Sequence, residues 1–385
     1  MIEVISTRPE CRVNNERRVG MNMRKLVALV AAVVFTVGFA APLFARGAAE
    51  DEPYIAVVSK GEQHDFWQQV RRGAEDAATE FGVDMTYEGP ASEADVQDQV
   101  QMLNTALAQN PVAIALAALD TDAVRDQLED ARGRGIPVVG FDSGVPNPPE
   151  GSIVANAATN NYAAAGMAAE RMFEEIRDQI DAASSSNPVT IVVFNQDAAG
   201  ESLISRGTGF RDRMVELIVN ETGHGRDSIR VSGNPRYVDA DSPTSGDAVY
   251  IYMAVPASSR TQDVTAGANQ IFRRADDENI IGLFASNEGT VGGVLSATDD
   301  GSALASQYSG VTVVGFDAGA AQKAAVRNGY FLGSITQDPY MIGYEAVRLA
   351  YQAWQGEEVA DVDTGAQFWN AANMDDDELA PLLYD

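Results

Sequence analysis

The residues best placed to do chemistry are two aspartates set in near-identical surroundings. Val138-Val139-Gly140-Phe141-Asp142-Ser143-Gly144 and Val313-Val314-Gly315-Phe316-Asp317-Ala318-Gly319 each carry an apolar run into an aspartate, with a glycine two positions on. One such aspartate could simply cap the next helix. A near-duplicate in each half of the chain points instead to a shared ligand. Paired carboxylates would also suit a glycosidase, which holds them about 5–10 Å apart across the scissile bond. Nothing near either aspartate suggests the apolar pocket that raises a general acid's pKa. There is also no Gly-x-Ser-x-Gly elbow, no phosphate loop ending in Gly-Lys and no His-Glu-x-x-His pair. His224, in Glu221-Thr222-Gly223-His224-Gly225, reads as a solvated turn residue. The expectation is therefore a protein that is not an enzyme and uses no metal or cofactor. A secreted carbohydrate-active enzyme working through Asp142 and Asp317 is the alternative.

The other candidates suit a neutral, hydroxylated ligand. Ser59-Lys60-Gly61-Glu62-Gln63-His64-Asp65-Phe66-Trp67 follows an apolar run. Aromatic rings can cover the C–H face of a sugar while charged and amide groups satisfy its hydroxyls. Adjacent residues on a helix do not share a face equally, so one of Phe66 and Trp67 is expected in the core and the other toward ligand. Arg206 offers a planar fork of donors or else a surface ion pair. Asn287, after Phe284-Ala285-Ser286, could bind ligand or cap its helix. Gln337, after Ser334-Ile335-Thr336, is a ligand-binding amide or a loop amide.

These residues need strand ends to carry them. Tyr54 to Ser59, Val83 to Tyr87, Ala113 to Leu119 and Ile136 to Asp142 read as strands, with helices between them from Phe66 to Phe81, around Val96 to Leu107 and from Val124 to Arg132. The rhythm continues through Ile153 to Ala155 and an alanine-rich helix from Tyr162. It restarts at Val189 to Phe194, Ile229 to Val231, Ile280 to Ala285, Val311 to Asp317 and Phe331 to Thr336, closing with a helix from Ile342 to Trp354. Continuous Val/Ile runs are strands covered on both faces, and their alternation with helices implies βαβ units and parallel sheets. Ligands of such sheets gather outside the carboxyl ends of the strands. The fold class is therefore α/β, with two similar lobes that each offer an aspartate. Residues 233–255 break the rhythm: a turn-rich stretch precedes a strand candidate, Val249 to Val255.

The chain has 385 residues, enough for two domains, and a net charge of −29 with pI near 4.3, which disfavours nucleic acid and anionic membrane faces. Arg24 and Lys25 precede the apolar run Leu26 to Phe35, and small residues around Leu43-Phe44-Ala45 follow, the order of a secretory signal. Gly38 and Pro42 leave that run short for a membrane span of about 20 apolar residues. Residues 1–45 are read as a leader, with Met21 or Met23 the better start and the mature chain beginning near residue 46. Cys11, the only cysteine, lies upstream of the run. The mature protein would carry neither a disulfide nor a lipid-modified cysteine, and is expected free in the periplasm.

Several stretches together carry a family resemblance: Tyr54-Ile-Ala-Val-Val-Ser59 with Phe66-Trp67, Leu119-Asp-Thr-Asp-Ala-Val124, Ile136-Pro-Val-Val-Gly-Phe-Asp142, Ser205-Arg206-Gly207-Thr208-Gly209-Phe210, Ser286-Asn287-Glu288, Val313-Val-Gly-Phe-Asp317 and Ile335-Thr-Gln337. In this order they resemble the ribose-binding-protein-like group of periplasmic substrate-binding proteins from ABC sugar transporters, the periplasmic binding protein type I family. The lactose-repressor-type regulators share that core, but a regulator needs a DNA-binding head and a basic face. The resemblance implies two Rossmann-like lobes joined by three hinge strands. It divides the chain into an N-terminal lobe of residues 53–157 plus 338–364 and a C-terminal lobe of 158–337 plus 365–385. Phe66 and Trp67 would stack on a sugar ring, Asp142, Arg206, Asn287, Asp317 and Gln337 would bind its hydroxyls, and Phe316 would line the pocket. His64 stands where the ribose binders have asparagine, Ser143 replaces an arginine, Ala117-Ala118 replaces an asparagine, and Lys60 could add a donor. Ribose itself is therefore not implied. The implied partners are a monosaccharide or polyol and an ABC transporter permease, with a chemoreceptor as a further reader compatible with transport and the protein a monomer.

Overall fold

Apolar runs long enough to cross one sheet, punctuated by helices with a single apolar face, dictate the architecture. The computed structural model describes residues 53–384, so the leader and Cys11 lie outside the described residues. In chain order the first half forms β1 (Tyr54–Val58), α1 (Asp65–Phe81), β2 (Asp84–Glu88), α2 (Val96–Ala108), β3 (Ala113–Leu116), α3 (Arg125–Gly133), β4 (Val138–Phe141) and β5 (Ala155–Ala158). Then come α4 (Asn161–Asp181), β6 (Val189–Phe194), α5 (Glu201–Glu221), β7 (Ile229–Gly233), β8 (Val249–Ala254), α6 (Thr261–Arg273), β9 (Ile280–Ala285), α7 (Glu288–Ala297), β10 (Thr312–Phe316), α8 (Ala320–Arg327) and β11 (Gly333–Gln337). Helix α9 (Pro339–Trp354) and strands β12 (Val362–Asp363) and β13 (Ala366–Trp369) follow.

The strands form two sheets, one ordered β12-β5-β4-β3-β1-β2 and the other β13-β11-β10-β9-β6-β8-β7. Every pairing is parallel except β11 with β13. This is an α/β fold in which each of two lobes is built on its own sheet. The chain passes between sheets three times, after β5, after β11 and after β12. The passages are tied together: Thr159 Oγ1 donates to the Gly365 carbonyl (3.1 Å) and Thr364 N–H to the Ala158 carbonyl (3.1 Å).

Helix α1 buries Phe66, Trp67, Val70, Ala74 and Ala77, and stops at Gly82, whose φ of 63° is left-handed. It packs directly on α9, because Gly73 and Gly343 let the backbones touch. A Cβ on Gly73 would lie 1.9 Å from the Tyr340 carbonyl oxygen, and one on Gly343 1.9 Å from that of Val70. In the second lobe Phe210 of α5 stacks on Phe284 of β9 at 4.6 Å.

The irregular stretch resolves into topology. Strand β8 lies between β6 and β7, occupying the place beside the lobe's opening strand that β2 holds beside β1. Strand β7 is thus an extra edge strand, joined to β8 by a connection containing only a short 3₁₀ turn, Pro235–Tyr237. Tyr237 is fully buried and donates its hydroxyl to the Asp197 carbonyl (2.6 Å), which anchors the connection. His224 is half-buried rather than solvated, with Nε2 2.8 Å from the Ile180 carbonyl oxygen. No helix among the described residues is long and apolar enough to cross a membrane.

Candidate functional site

Both aspartates leave their strands in the left-handed region, Asp142 with φ 53° and Asp317 with φ 72°. That conformation disfavours most side chains and is best tolerated by Asp, Asn and Gly. It is pinned on each side by the next strand: Asp142 N–H donates to the Ala157 carbonyl (3.0 Å) and Asp317 N–H to that of Ile335 (2.6 Å). The duplicated sequence motif is therefore a duplicated backbone turn.

Lys60, His64, Phe66, Trp67, Asp142, Arg206, Asn287, Asp317 and Gln337 all line one cavity between the sheets, together with Glu93, Leu203 and Glu288. Its free volume is only about 20 Å³, about one water molecule. From the first lobe, Lys60 Nζ lies 3.0 Å from Asp142 Oδ2 and donates to Ser202 Oγ across the cleft (3.1 Å). From the second, Arg206 Nη1 lies 3.7 Å from Asp317 Oδ2, its Nε donates to Asn161 Oδ1 (2.8 Å), and its Nη1 donates to the Ser286 carbonyl (3.0 Å). Asp317 also accepts from Gln337 Nε2 (2.6 Å) and from Glu288 N–H (3.0 Å), so it caps α7, not the helix that follows it.

Several readings resolve in detail. Phe66 and Trp67 do not divide between core and cleft: both are buried, both line the cavity, and their rings meet edge-to-face at 4.9 Å. Both can do so because α1 starts at the cavity, where its first turn faces core and cleft together. Arg206 is 2% exposed and is no surface pair. Asn287 caps its helix, closing a capping box with Thr290, and also faces the cavity, donating to Gln196 Oε1 (2.9 Å). Phe316 is a correction. It does not line the cavity; it lies fully buried behind Arg206, whose guanidinium carbon sits 3.8 Å from the ring centroid. It precedes the turned aspartate, so its side chain points back into the sheet's core.

Two polar residues of the site, Glu93 and Glu288, were missed as site residues. Glu93 accepts from Trp67 Nε1 (2.8 Å) and, across the cleft, from Gln196 Nε2 (2.5 Å). Glu288 reaches across to α1, where its Oε1 lies 3.7 Å from His64 Nδ1. Each sits just past the carboxyl end of a parallel strand, which is the signal that could have found them.

Burial opposes charge throughout. It works against the Lys60 ammonium, but Asp142, Glu93 and Asp197 outweigh it and raise its pKa. It works against the Glu93 carboxylate too, yet His64 and Lys60 lower that pKa. For Asp317 burial wins, raising the pKa despite Arg206 and Gln337. The cavity is thus lined by acids matched with cations, leaving donors and acceptors of both kinds for hydroxyl groups.

The periplasmic binding protein domain model matches residues 55–358. The chain belongs to that family. The ribose import binding protein of Salmonella typhimurium is 26% identical over 345 residues, spanning 88% of this chain and 95% of that protein. A solved structure described as an ABC transporter, LacI family transcriptional regulator from Brachyspira murdochii is 37% identical, with a TM-score of 0.70 over 87% of this chain and 99% of that one. A carbohydrate transporter solute-binding protein from Agrobacterium radiobacter, in complex with D-arabinose, is 25% identical with a TM-score of 0.69, over 87% and 100% of the two chains. As a periplasmic binding protein, the chain offers the cleft between its lobes as the place to look for ligand.

Proposed function

We propose that this protein is an exported solute-binding protein that captures a monosaccharide or polyol between two closing lobes and delivers it to an ABC transporter permease. The observation that carries the reading is the matched pair of left-handed aspartates, Asp142 and Asp317, one per lobe, facing one cavity beside Lys60 and Arg206. Family membership and sugar-binding relatives support it. The lobes divide at 53–157 plus 338–364 and 158–337 plus 365 to the C-terminus. Asp142, Arg206 and Asp317 bind hydroxyls through charge-assisted hydrogen bonds, Asn287 and Gln337 bind them through their amides, and Lys60 and His64 add donors. Phe66 and Trp67 cover the apolar face of the ring. Phe316 acts from behind, by holding Arg206.

The paired cavity is too small for a sugar ring, so entry requires the lobes to part and the side chains to exchange partners. Closure then removes the ligand from water, and an unmade hydrogen bond costs about 1–3 kcal/mol, which enforces stereochemical choice. No bond is made or broken in this cycle, so the protein is not an enzyme. It works as a monomer in the periplasm, free of a lipid anchor, and its closed form can also be read by a chemoreceptor. A thermal-shift screen across pentoses, hexoses and polyols tests the reading. A ligand at 100-fold over its Kd adds about 2.7 kcal/mol of stability, and the absence of any shift across the panel at millimolar sugar would refute it. Sugars recovered chemically unchanged remove the carbohydrate-active alternative.

A further inference from the structure

Helix α1 opens at the cleft without a side-chain cap of its own, because the His64 side chain at its N-cap position takes no hydrogen bond from the helix. The cap comes from the other lobe. The Glu288 carboxylate, in the first turn of α7, accepts Asp65 N–H at Oε1 (3.2 Å) and Phe66 N–H at Oε2 (3.3 Å). A carboxylate that receives the amides of a first turn performs the work of an N-cap residue, and its charge suits the positive end of the helix dipole. Here the cap and the helix lie on different lobes, so the interaction exists only while the lobes are together. The main chain of Glu288 in turn donates to Asp317 Oδ2 (3.0 Å).

We propose that Glu288 is a positioning residue, which caps α1 in trans and so couples closure of the lobes to the setting of Phe66 and Trp67 against the ligand. Its purpose rests on the capture reading given above, whereas the capping contact itself does not. Asp317, a ligand carboxylate in that reading, grips the peptide of Glu288, so ligand contact and trans cap are one hydrogen bond apart. His64 adds to the same contact from the α1 side.

The ion pair Arg260–Asp95, 2.6 Å across the cleft, provides reporter positions that leave the cap untouched. With Asp95→Cys and Arg260→Cys in the chain from residue 46 onward, where the sequence has no other cysteine, a short bis-maleimide cross-links at a rate proportional to the closed population. Without added sugar, Glu288→Ala in this background should lower the closed-to-open ratio, read from the cross-linking rate, about fivefold, within the range of roughly 2- to 30-fold set by the loss of an N-cap. Glu288→Gln keeps an acceptor oxygen and should restore part of the rate; if the alanine variant fails to fold, the glutamine variant decides alone. In the same samples, amide exchange should quicken at Asp65 and Phe66 but not in the rest of α1. An unchanged cross-linking rate in the folded variants overturns the proposal. A second arm adds D-ribose or D-arabinose to the protein with native Glu288. Acceleration supports sugar capture, and no acceleration counts against that reading while the cap result stands by itself.

Discussion

Replacing Asp317 by Ala removes the group on which the second half of the site converges. The carboxylate is 4% exposed, accepts from Gln337 Nε2 and Glu288 N–H, and faces Arg206 at 3.7 Å. Breaking a buried pair by deleting one partner costs about 3–5 kcal/mol. Two facts argue for the low end. Burial already raises the Asp317 pKa, so the charge is incompletely compensated, and Arg206 keeps Asn161 and the Ser286 carbonyl. A loss of about 3 kcal/mol, set against about 2.1 cal/mol/K per residue over residues 53–384, lowers Tm by about 4 °C if the lobes unfold together. It lowers Tm by about twice that if the second lobe unfolds alone. Scanning calorimetry at pH 7 measures the fall, and titration with a sugar that binds the native protein should show no heat for the variant. Asp317→Asn keeps an oxygen for one donor, so it should regain about half of the Tm loss without regaining affinity. An alanine variant that melts within about 1 °C of the native protein, or that binds sugar undiminished, would refute the reasoning.

Four more variants test the geometry. Burial disfavours the His64 imidazolium, but the Glu288 carboxylate 3.7 Å away, with Glu93 and Asp317 near, pushes its pKa from 6.5 up to about 9. A raised pKa stabilises the folded form fully below pH 6.5, and that contribution is lost as pH rises through about 9. The Tm advantage of the native protein over His64→Gln should shrink across that window, and a constant difference would count against the pairing. Glu93→Gln replaces a double acceptor with one oxygen and one donor, so calorimetry should find sugar affinity weakened by roughly 10-fold or more, from about 1.5–3 kcal/mol per charged hydrogen bond; equal affinity contradicts its role. Gly73→Ala drives a Cβ into the Tyr340 carbonyl and should cost at least about 1–3 kcal/mol. Gly133→Ala, with nothing within 4 Å of its added methyl, should leave Tm unchanged or raise it.

Much of the site could be read from strand ends because βαβ topology sends them to one edge. The repeated Phe-Asp-x-Gly stretches read as equivalent positions, and they share one backbone turn. What sequence could not show was which side chains would pair across the cleft. Gln196 with Glu93, and α1 with Glu288, join residues far apart in the chain, and no local spacing announces them. The same limit explains Phe316, whose place behind Arg206 depends on the packing of α5 against β9 and β10 rather than on its own neighbours. The stretch 233–255 resisted because it inserts an edge strand out of sequence order, with β8 beside β6 and β7 outside it. Turn residues there marked a break in rhythm without revealing the order of pairing.

The most direct test is a crystal structure of the protein grown with the sugar that raises its Tm most. The account predicts one sugar between the lobes, its hydroxyls within hydrogen-bond distance of Asp142, Arg206 and Asp317 and its C–H face against Phe66 or Trp67. A sugar bound on an outer surface, or one in the cleft that touches neither aspartate, would contradict it.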